Sequence, residues 1–522
     1  MKTVVKILVV FFLGISSVNA QFSIIYGKKR IAKTKGSIKL IGGDNTGLYS
    51  LKISNEGTRY HILVVKNCIE GCTDEFVVEI ESEKIQSGLR STSSTMNISA
   101  FLTKGKVFVF FEAFDKKNKE QKLFLQTVSS NGSLSDVFEI YTLNLKDVAD
   151  PKLNSLFPNF RIEFTENKDF FWICPMEGKR SVYSKSFSDK ISVSVFKSSN
   201  FEKQFTREIN IEQLTKDASY ISKLEVVDNG TILLTSIKKT HEEKYASLIV
   251  INNNSPAPKH LKLDIPTNQY LLDYSYRILN NGDILMAALV TDTVSIAGVL
   301  DKANPKIMIK RIDGNTFFDL YSKTINVEAS LKNKLATILD NRINFDFLKI
   351  MEFDDALMIT MEYQNIPRRS VNSFYGYANT SSLDLLMFKC SGNGELLWAK
   401  NIPKNQRTVP SYTLDAPVGK YDLFLVDNKL KLVFEENSAN SKLGYAEPSV
   451  NYLKNSKASP TNIVMLTIDK YGMMKKEVIF QNIYKETNYM YSKPFDGNTH
   501  LRVLYFENKK EDTDMLGLLK FE

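Results

Sequence analysis

The chain has 522 residues, 43% of them hydrophobic, and sets 68 Lys and Arg against 59 Asp and Glu for a formal charge of +9. The cations are mostly Lys spread evenly along the chain, which is the pattern of a solvated, edge-protected β surface. No element clusters Arg and Lys with aromatics, so no nucleic-acid partner is expected. The four His stand apart from one another and from the four Cys, with neither H-x-x-x-H nor C-x-x-C spacing, so no metal site is expected.

Taken in order, the chain begins with a targeting segment. Lys2 and Lys6 form a positive region, Ile7–Leu13 a short apolar run, and Val18-Asn19-Ala20 a small-residue cleavage site. Residues 1–20 read as a signal peptide, with Gln21 as the mature start and no lipid-bearing Cys after it. No later stretch reaches the roughly 18 apolar residues of a membrane helix. The mature chain, 21–522, is therefore expected to be exported, to a periplasm or beyond the cell, with no transmembrane segment. Losing Lys2 and Lys6 lowers its formal charge from +9 to +7.

The chain is rich in Phe (33) and Tyr (23), and the 500 or so residues after the targeting segment are nearly free of long helical periodicity, so they read as mostly β. One unit recurs: a strand, a tight turn and a stronger strand. Its turns fall at Glu56-Gly57, Lys104-Gly105, Glu166–Asp169, Asp228-Asn229-Gly230, Asn280-Asn281-Gly282, Asp354-Asp355, Asp427-Asn428 and Asp496-Gly497-Asn498. Between these A–B hairpins lie C–D hairpins turning at Asn131-Gly132, Asp313-Gly314, Ser391–Gly394 and Lys470–Gly472, because Asn and Gly tolerate the positive φ of a two-residue turn. Phe76–Glu81 and Met515–Phe521 read as single-strand versions. A four-stranded antiparallel unit cannot bury both faces alone, so repetition every 50–70 residues or so predicts a single all-β propeller, of about eight blades with seven as the alternative. The last repeat lacks a D strand, and Phe22–Tyr26 is expected to supply it and close the ring. Helix is confined to two candidates, Val327–Leu339 and Asn210–Asp217.

The stretch Ser391-Gly392-Asn393-Gly394-Glu395-Leu396-Leu397-Trp398 resembles the D/N-x-x-G-x-L-x-W repeats of exported bacterial β-propeller proteins, closest in look to quinoprotein-like blades. Only this repeat carries the Trp, whereas quinoprotein dehydrogenases carry it in most blades, and no cofactor is expected. The same residues are similar to a sialidase Asp box, with Asn393 in place of the Asp and Gly394 one residue early.

No G-x-S-x-G, P-loop, G-x-G-x-x-G or EF-hand spacing occurs, and paired carboxylates such as Asp354-Asp355 read as turn formers. Cys68 and Cys72 flank a hairpin loop and are a candidate disulfide; Cys174 and Cys390 read as buried small hydrophobes. The informative asymmetry is in three long connections: Gln364–Leu383, Asn401–Lys420 and Ser438–Pro460. The first and third join B to C, and the second joins D to the next A, so all three are expected on one face. They carry Arg368, Arg369, Tyr375, Tyr377, Arg407, Tyr412, Tyr445 and Tyr452, residue types favoured at binding surfaces. The leading expectation is a non-enzymatic binding or scaffold propeller that contacts protein or glycan. The alternative is a carbohydrate-active hydrolase or lyase, which would need a deep axial pocket with converging Asp, Glu, Tyr or His. A purely structural surface protein would show neither feature.

Overall fold

The structure is a computed structural model. It describes residues 22–26, 30–31, 36–56, 59–68, 75–81, 97–115, 117–144, 160–175, 190–210, 220–239, 244–252, 257–292, 306–326, 343–365, 380–408, 421–438, 461–481, 487–508 and 513–521. These residues contain strands and turns and no α-helix. Both helix candidates fall outside them, except that Asn210 ends a strand.

Two short strands come first, β1 (Phe22–Tyr26) and β2 (Arg30–Ile31). Eight four-stranded runs follow or are completed by them. Repeat I is β3 (Gly36–Asp44), β4 (Gly47–Glu56), β5 (Arg59–Asn67) and β6 (Phe76–Glu79). Repeat II is β7 (Ile98–Thr103), β8 (Lys106–Asp115), β9 (Glu120–Ser129) and β10 (Phe138–Asn144). Repeat III is β11 (Phe160–Phe164), β12 (Phe170–Pro175), β13 (Lys190–Lys197) and β14 (Lys203–Asn210). Repeat IV is β15 (Tyr220–Val226), β16 (Ile232–Lys239), β17 (Lys244–Ile251) and β18 (Lys259–Asp264). Repeat V is β19 (Tyr270–Ile278), β20 (Ile284–Thr291), β21 (Lys306–Ile312) and β22 (Asp319–Asn326). Repeat VI is β23 (Ile343–Phe353), β24 (Ala356–Asn365), β25 (Thr380–Cys390) and β26 (Leu396–Thr408). Repeat VII is β27 (Tyr421–Val426), β28 (Lys429–Asn437), β29 (Thr461–Ile468) and β30 (Met474–Gln481). Repeat VIII is β31 (Thr487–Phe495), β32 (Asn498–Asn508) and β33 (Thr513–Phe521), with β1 as its fourth strand.

These form an all-β propeller. Repeats II–VII are six separate four-stranded antiparallel sheets. Repeats VIII and I share a nine-stranded sheet, β1-β33-β32-β31-β3-β4-β5-β6, joined by parallel pairing of Gly43 with Phe495, with β2 beside β33. Counted as hydrogen-bonded sheets, the number is seven, the smaller of the two expected. The N-terminal strand closes the ring as expected, pairing Phe22 with Phe521 through Tyr26 with Gly517.

The period-two pattern of the strands acquires its meaning here. In β25, Leu386, Phe388 and Cys390 face a core shared with repeat V, while Leu385 and Met387 face one shared with repeat VII. Both sets are at 0% exposure, so each sheet is a slab with an apolar face toward either neighbour. One such cluster lies at each junction from I/II to VIII/I.

The recurring turn-and-aromatic motif joins neighbours. The Gly472 backbone has φ 79°, and a Cβ placed there would lie 3.0 Å from Lys400 Cε and 3.1 Å from the Trp398 indole. Trp398 of repeat VI therefore lies on the C–D turn of repeat VII, and its Nε1 donates to Lys470 O at 3.1 Å. Tyr321 packs on Gly394, and Phe76 on Gly132, in the same way. Cations on the third strand extend the grip: Lys66 Nζ donates to Ser130 O (2.7 Å), Arg311 to Gly392 O (2.9 Å) and Lys389 Nζ to Lys470 O (3.1 Å), each on the next repeat's turn. Lys66 and Lys389 are almost fully buried and lie over Phe76 and Phe353, which satisfies both the charge and the aliphatic stem.

Three sequence expectations are corrected. The hairpin turning at Glu56-Gly57 joins the second and third strands of repeat I, not the first two. Its first strand, β3, was missed because a bulge between Leu40 and Gly42 breaks the alternation just before a Gly pair. The C–D hairpins of repeats III and IV, β13–β14 and β17–β18, also escaped notice. Finally, Asn401–Thr408 is not loop: β26 continues through it, pairing as far as Thr380 with Thr408.

The Gly472 contact can be separated from its backbone strain. Gly472→Ala should cost about 1–2 kcal/mol of left-handed strain plus about 1–3 kcal/mol of overpacking against Trp398. Gly105→Ala, at φ 74° with no atom within 4 Å, should cost only the strain. Urea midpoints of the two variants measure the difference.

Candidate functional site

The first strand of each repeat lines the axis, and the short turn after it emerges on what we call the turn face. On that face, the turn at Thr165–Asp169 of repeat III reaches across the ring. Lys168 Nζ pairs with Asp496 of repeat VIII at 2.8 Å and donates to Leu102 O of repeat II at 3.1 Å. Lys104 pairs with Asp169, and the Lys104 amide donates to Asp496 Oδ2. The Asn167 amide donates to Asp228 of repeat IV (3.1 Å), and Glu166 lies 3.6 Å from Arg277 of repeat V. Repeats III and VIII are separated by two others, so these contacts span the axis and draw the turns together over it.

Beneath this closure lies a charged ring. Arg161, Lys223, Lys349 and Asp422 each stand five residues before the first residue of their turn, and so at one axial depth. The neighbouring Leu224, Ile350 and Leu423 are buried between repeats, which leaves the charged positions on the opposite side of the strand. Glu163, Glu225 and Arg277 form a second tier, two residues or about 6.6 Å nearer the turns.

Backbone irregularity precedes two of these side chains, Lys223 and Lys349. Bulges interrupt pairing just before Lys223, Asp273, Lys349 and Tyr491, on four inner strands. An extra residue bends the strand and re-aims the residue after it, which is why bulges collect beside functional sites.

Most of the charges are paired. Arg161 holds Glu163, with Nε to Oε1 at 2.8 Å, and lies over Trp172. Lys223 pairs with Glu225 at 3.1 Å and lies over Tyr276, whose hydroxyl donates to the same Glu225 at 2.8 Å. Burial, with Glu225 beside it, pushes the Tyr276 phenol far above its ordinary pKa, so it acts as a fixed donor. Arg502, 9% exposed, pairs with Asp422 and stacks on Phe424. Lys349 differs. Its Nζ donates to Leu423 O at 3.5 Å, at the outer limit of a hydrogen bond, and no carboxylate lies within ion-pair distance among the described residues. Lys349 retains solvent-exposed surface yet is enclosed by protein, and this desolvation lowers its ammonium pKa; Asp422 opposes the shift, whereas Arg502 and Arg277 add to it.

Of the residues expected to bind, Arg368, Arg369, Tyr375, Tyr377, Tyr412, Tyr445 and Tyr452 lie outside the described residues. Arg407 is in strand β26, opposite Ser381. The strand ends that carry the three long connections are described: Asn365 and Thr380, Thr408 and Tyr421, Asn437 and Thr461. Antiparallel order puts all of them at the end opposite the turn face. Cys68 is disulfide-bonded, and Cys72 lies outside the described residues. Cys174 and Cys390 are free and buried. No group of three His, Cys, Asp or Glu among the described residues is arranged to hold a metal, and no helix among them is long and apolar enough to cross a membrane.

Sequence reading missed the axial ring because charged residues alternating in a strand look like any solvated face. The signal present was positional: the fifth residue before the turn is charged in repeats III, IV, VI and VII.

No protein-family model matches the chain, and no curated protein matches it. Solved structures resemble it only in fold. A prolyl endopeptidase superposes with TM-score 0.40 at 11% identity over 92% of this chain and 55% of its own, so the chain spans about half the length of that enzyme. The WD40 domain of SCAP from fission yeast gives TM-score 0.40 at 10% identity, over 96% and 95%. A polysaccharide lyase of the ulvan lyase family PL25 gives 0.39 at 9%, over 80% and 90%.

Lys349→Met should raise the melting temperature, because the folded state holds this ammonium desolvated. The sign follows from linkage: with a folded pKa below the unfolded value near 10.5, the unfolded state binds more protons in the interval between them, so wild-type stability rises with pH there. The advantage of the variant should be full below the depressed folded pKa and shrink toward about pH 10.5. Melting curves of both proteins across that interval check it.

Proposed function

We propose that the protein is an exported binding or scaffold propeller, contacting protein or glycan through the end that carries the long connections. The observation that supports this most is geometric: six described strand ends bring all three connections to the end opposite the turn-face closure. Any ligand of the axis then approaches from the loop-bearing end, past Tyr- and Arg-rich segments.

A competing carbohydrate hydrolase would need two carboxylates in different environments, one held protonated and one free to act as base or nucleophile. Among the described residues, the carboxylates of the axial ring do not offer that pair. Glu163, Glu225 and Asp422 are each held against a cation, and Glu225 also accepts the Tyr276 hydroxyl. Such an arrangement orders a rigid polar surface, which suits recognition better than proton transfer.

Deleting the tips at 368–377, 410–418 and 441–457 should leave the melting temperature nearly unchanged, since lengthening or shortening a surface loop changes closure entropy by only about 0.6 kcal/mol per doubling. It should abolish capture of the partners that the intact chain recovers in pull-down. An unchanged partner set would remove the loops from the function, and a deletion that unfolds the chain would make them structural.

A further inference from the structure

Among the described residues, six large apolar side chains are more than half exposed, and five of them lie on one arc of the rim: Phe318, Leu320, Leu397, Tyr471 and Met473, in repeats V, VI and VII. All five sit in a C–D turn or at the start of the outer strand after it, on the turn face. The arc is continuous. Tyr321, next to Leu320, packs on Gly394 in the turn of repeat VI; Trp398, next to Leu397, packs on Gly472 in the turn of repeat VII, which Tyr471 and Met473 flank. The backbone itself turns the two leucines out. Strand β21 pairs Arg311 with Tyr321 and Ile312 with Asp319, so Leu320 is the extra residue of a bulge. Strand β25 pairs Lys389 with Trp398 and Cys390 with Leu396, so Leu397 is the extra residue at the matching place. Repeat III has the same bulge with Gln204 in it. The bulge therefore does not require an apolar residue, and a contiguous apolar surface left in water marks an interaction site.

We propose that the turn-face rim of repeats V–VII docks on an anionic lipid surface, with these five side chains entering the headgroup layer. The charges on the arc select that occupant. Lys310, Lys323 and Lys475 are paired with Asp319, Glu395 and Glu477, and the carboxylates of Asp313 and Asp469 accept amides of their own turns. Lys400 and Lys470 have no carboxylate partner among the described residues. Lys400 lies along Gly472, and Lys470 Nζ is 5.2 Å from the centre of the Tyr471 ring. Two uncompensated ammonium groups thus stand among the apolar tips, where they would meet lipid phosphates while their stems and the aromatic rings lie in the interface. A second copy would instead bring the same lysines against a chain of formal charge +9. Docking by this rim leaves the loop-bearing end facing away from the lipid, and it does not depend on the partner binding proposed for that end.

The test is flotation of the full chain with vesicles of equal parts phosphatidylcholine and phosphatidylglycerol, and with vesicles of phosphatidylcholine alone. Trp398 is a built-in probe, because the chain has two Trp and the other, Trp172, is fully buried. The wild type should float with the phosphatidylglycerol vesicles, more weakly with phosphatidylcholine, and its Trp emission should shift to the blue on binding. The double variant Leu320→Gln, Leu397→Gln places in repeats V and VI the residue that repeat III tolerates. It should melt as the wild type does and bind about tenfold more weakly or worse, equivalent to about 1.4 kcal/mol. Tyr471→Ser with Met473→Ser, on a turn tip, should weaken binding by a similar factor. Lys400→Gln with Lys470→Gln should remove the preference for phosphatidylglycerol. Val77→Ser, the sixth exposed side chain and outside the arc, should bind as the wild type does. Failure of the wild type to float with phosphatidylglycerol vesicles would overturn the proposal and leave the arc to a protein partner. Unchanged binding by both apolar double variants would overturn it as well.

Discussion

Every repeat in this molecule has two apolar faces and only its neighbours to cover them. That constraint makes closure the condition for all the rest. A linear array would leave one face of repeat I and one of repeat VIII in water, together with the free edge of β33. The chain meets both needs at one place. Residues Phe22–Tyr26 return to pair with β33, and β3 pairs with β31 across the seam. The small cluster there, built on Leu40, Leu48, Val503, Leu516 and Leu518 with Ile25 against it, completes the same apolar contact that the other junctions make. The first and last described strands are thereby held in one sheet.

Closure has a consequence at the centre. Inner strands crowd toward the axis, where the sheets no longer have room for large apolar side chains on both sides. The chain places charges there and neutralises them pairwise, Arg161 with Glu163, Lys223 with Glu225 and Asp422 with Arg502. Arg502 and Asp422 are the most buried of these pairs, so removing Asp422 would strand the guanidinium at a cost, whereas Arg161–Glu163 and Lys223–Glu225 keep solvent access and contribute little. The turn of repeat III then seals one end through Lys168 and Asp496. A propeller with two similar ends thus becomes polar: one end is knitted together by short turns, and the other carries the long connections.

Much of this was legible in the sequence, and for definite reasons. The Gly-, Asn- and Asp-rich turns announce themselves because few other residues take positive φ, and they mark seven of the eight A–B hairpins. The need for a closing strand could be inferred from the missing partner of Met515–Phe521. Repeat I was misframed because β3 ends in Gly42-Gly43 and a bulge, where no alternation survives. β26 was cut short at Asn401 because Pro403 and a run of polar residues look like loop, although an edge strand needs no donor on its outer side. The axial ring was not legible, since which alternate residues face the axis depends on bulges that no pattern of hydrophobicity reveals. Cys174 and Cys390 were placed correctly as buried small side chains, and desolvation pushes the Cys390 thiol up to about 12.

The inter-repeat contacts and the axial ring divide the labour between stability and recognition. Trp398, Tyr321 and Phe76 clamp turns on the outer part of the sheets, leaving the inner strands to carry charge. All of these contacts presuppose a closed ring, and thermal unfolding of the chain without residues 22–26 tests closure most directly. A melting temperature clearly below that of the intact chain is the predicted result, because the edge of β33 loses its partner and Ile25 leaves the seam cluster. An unchanged melting temperature would contradict it.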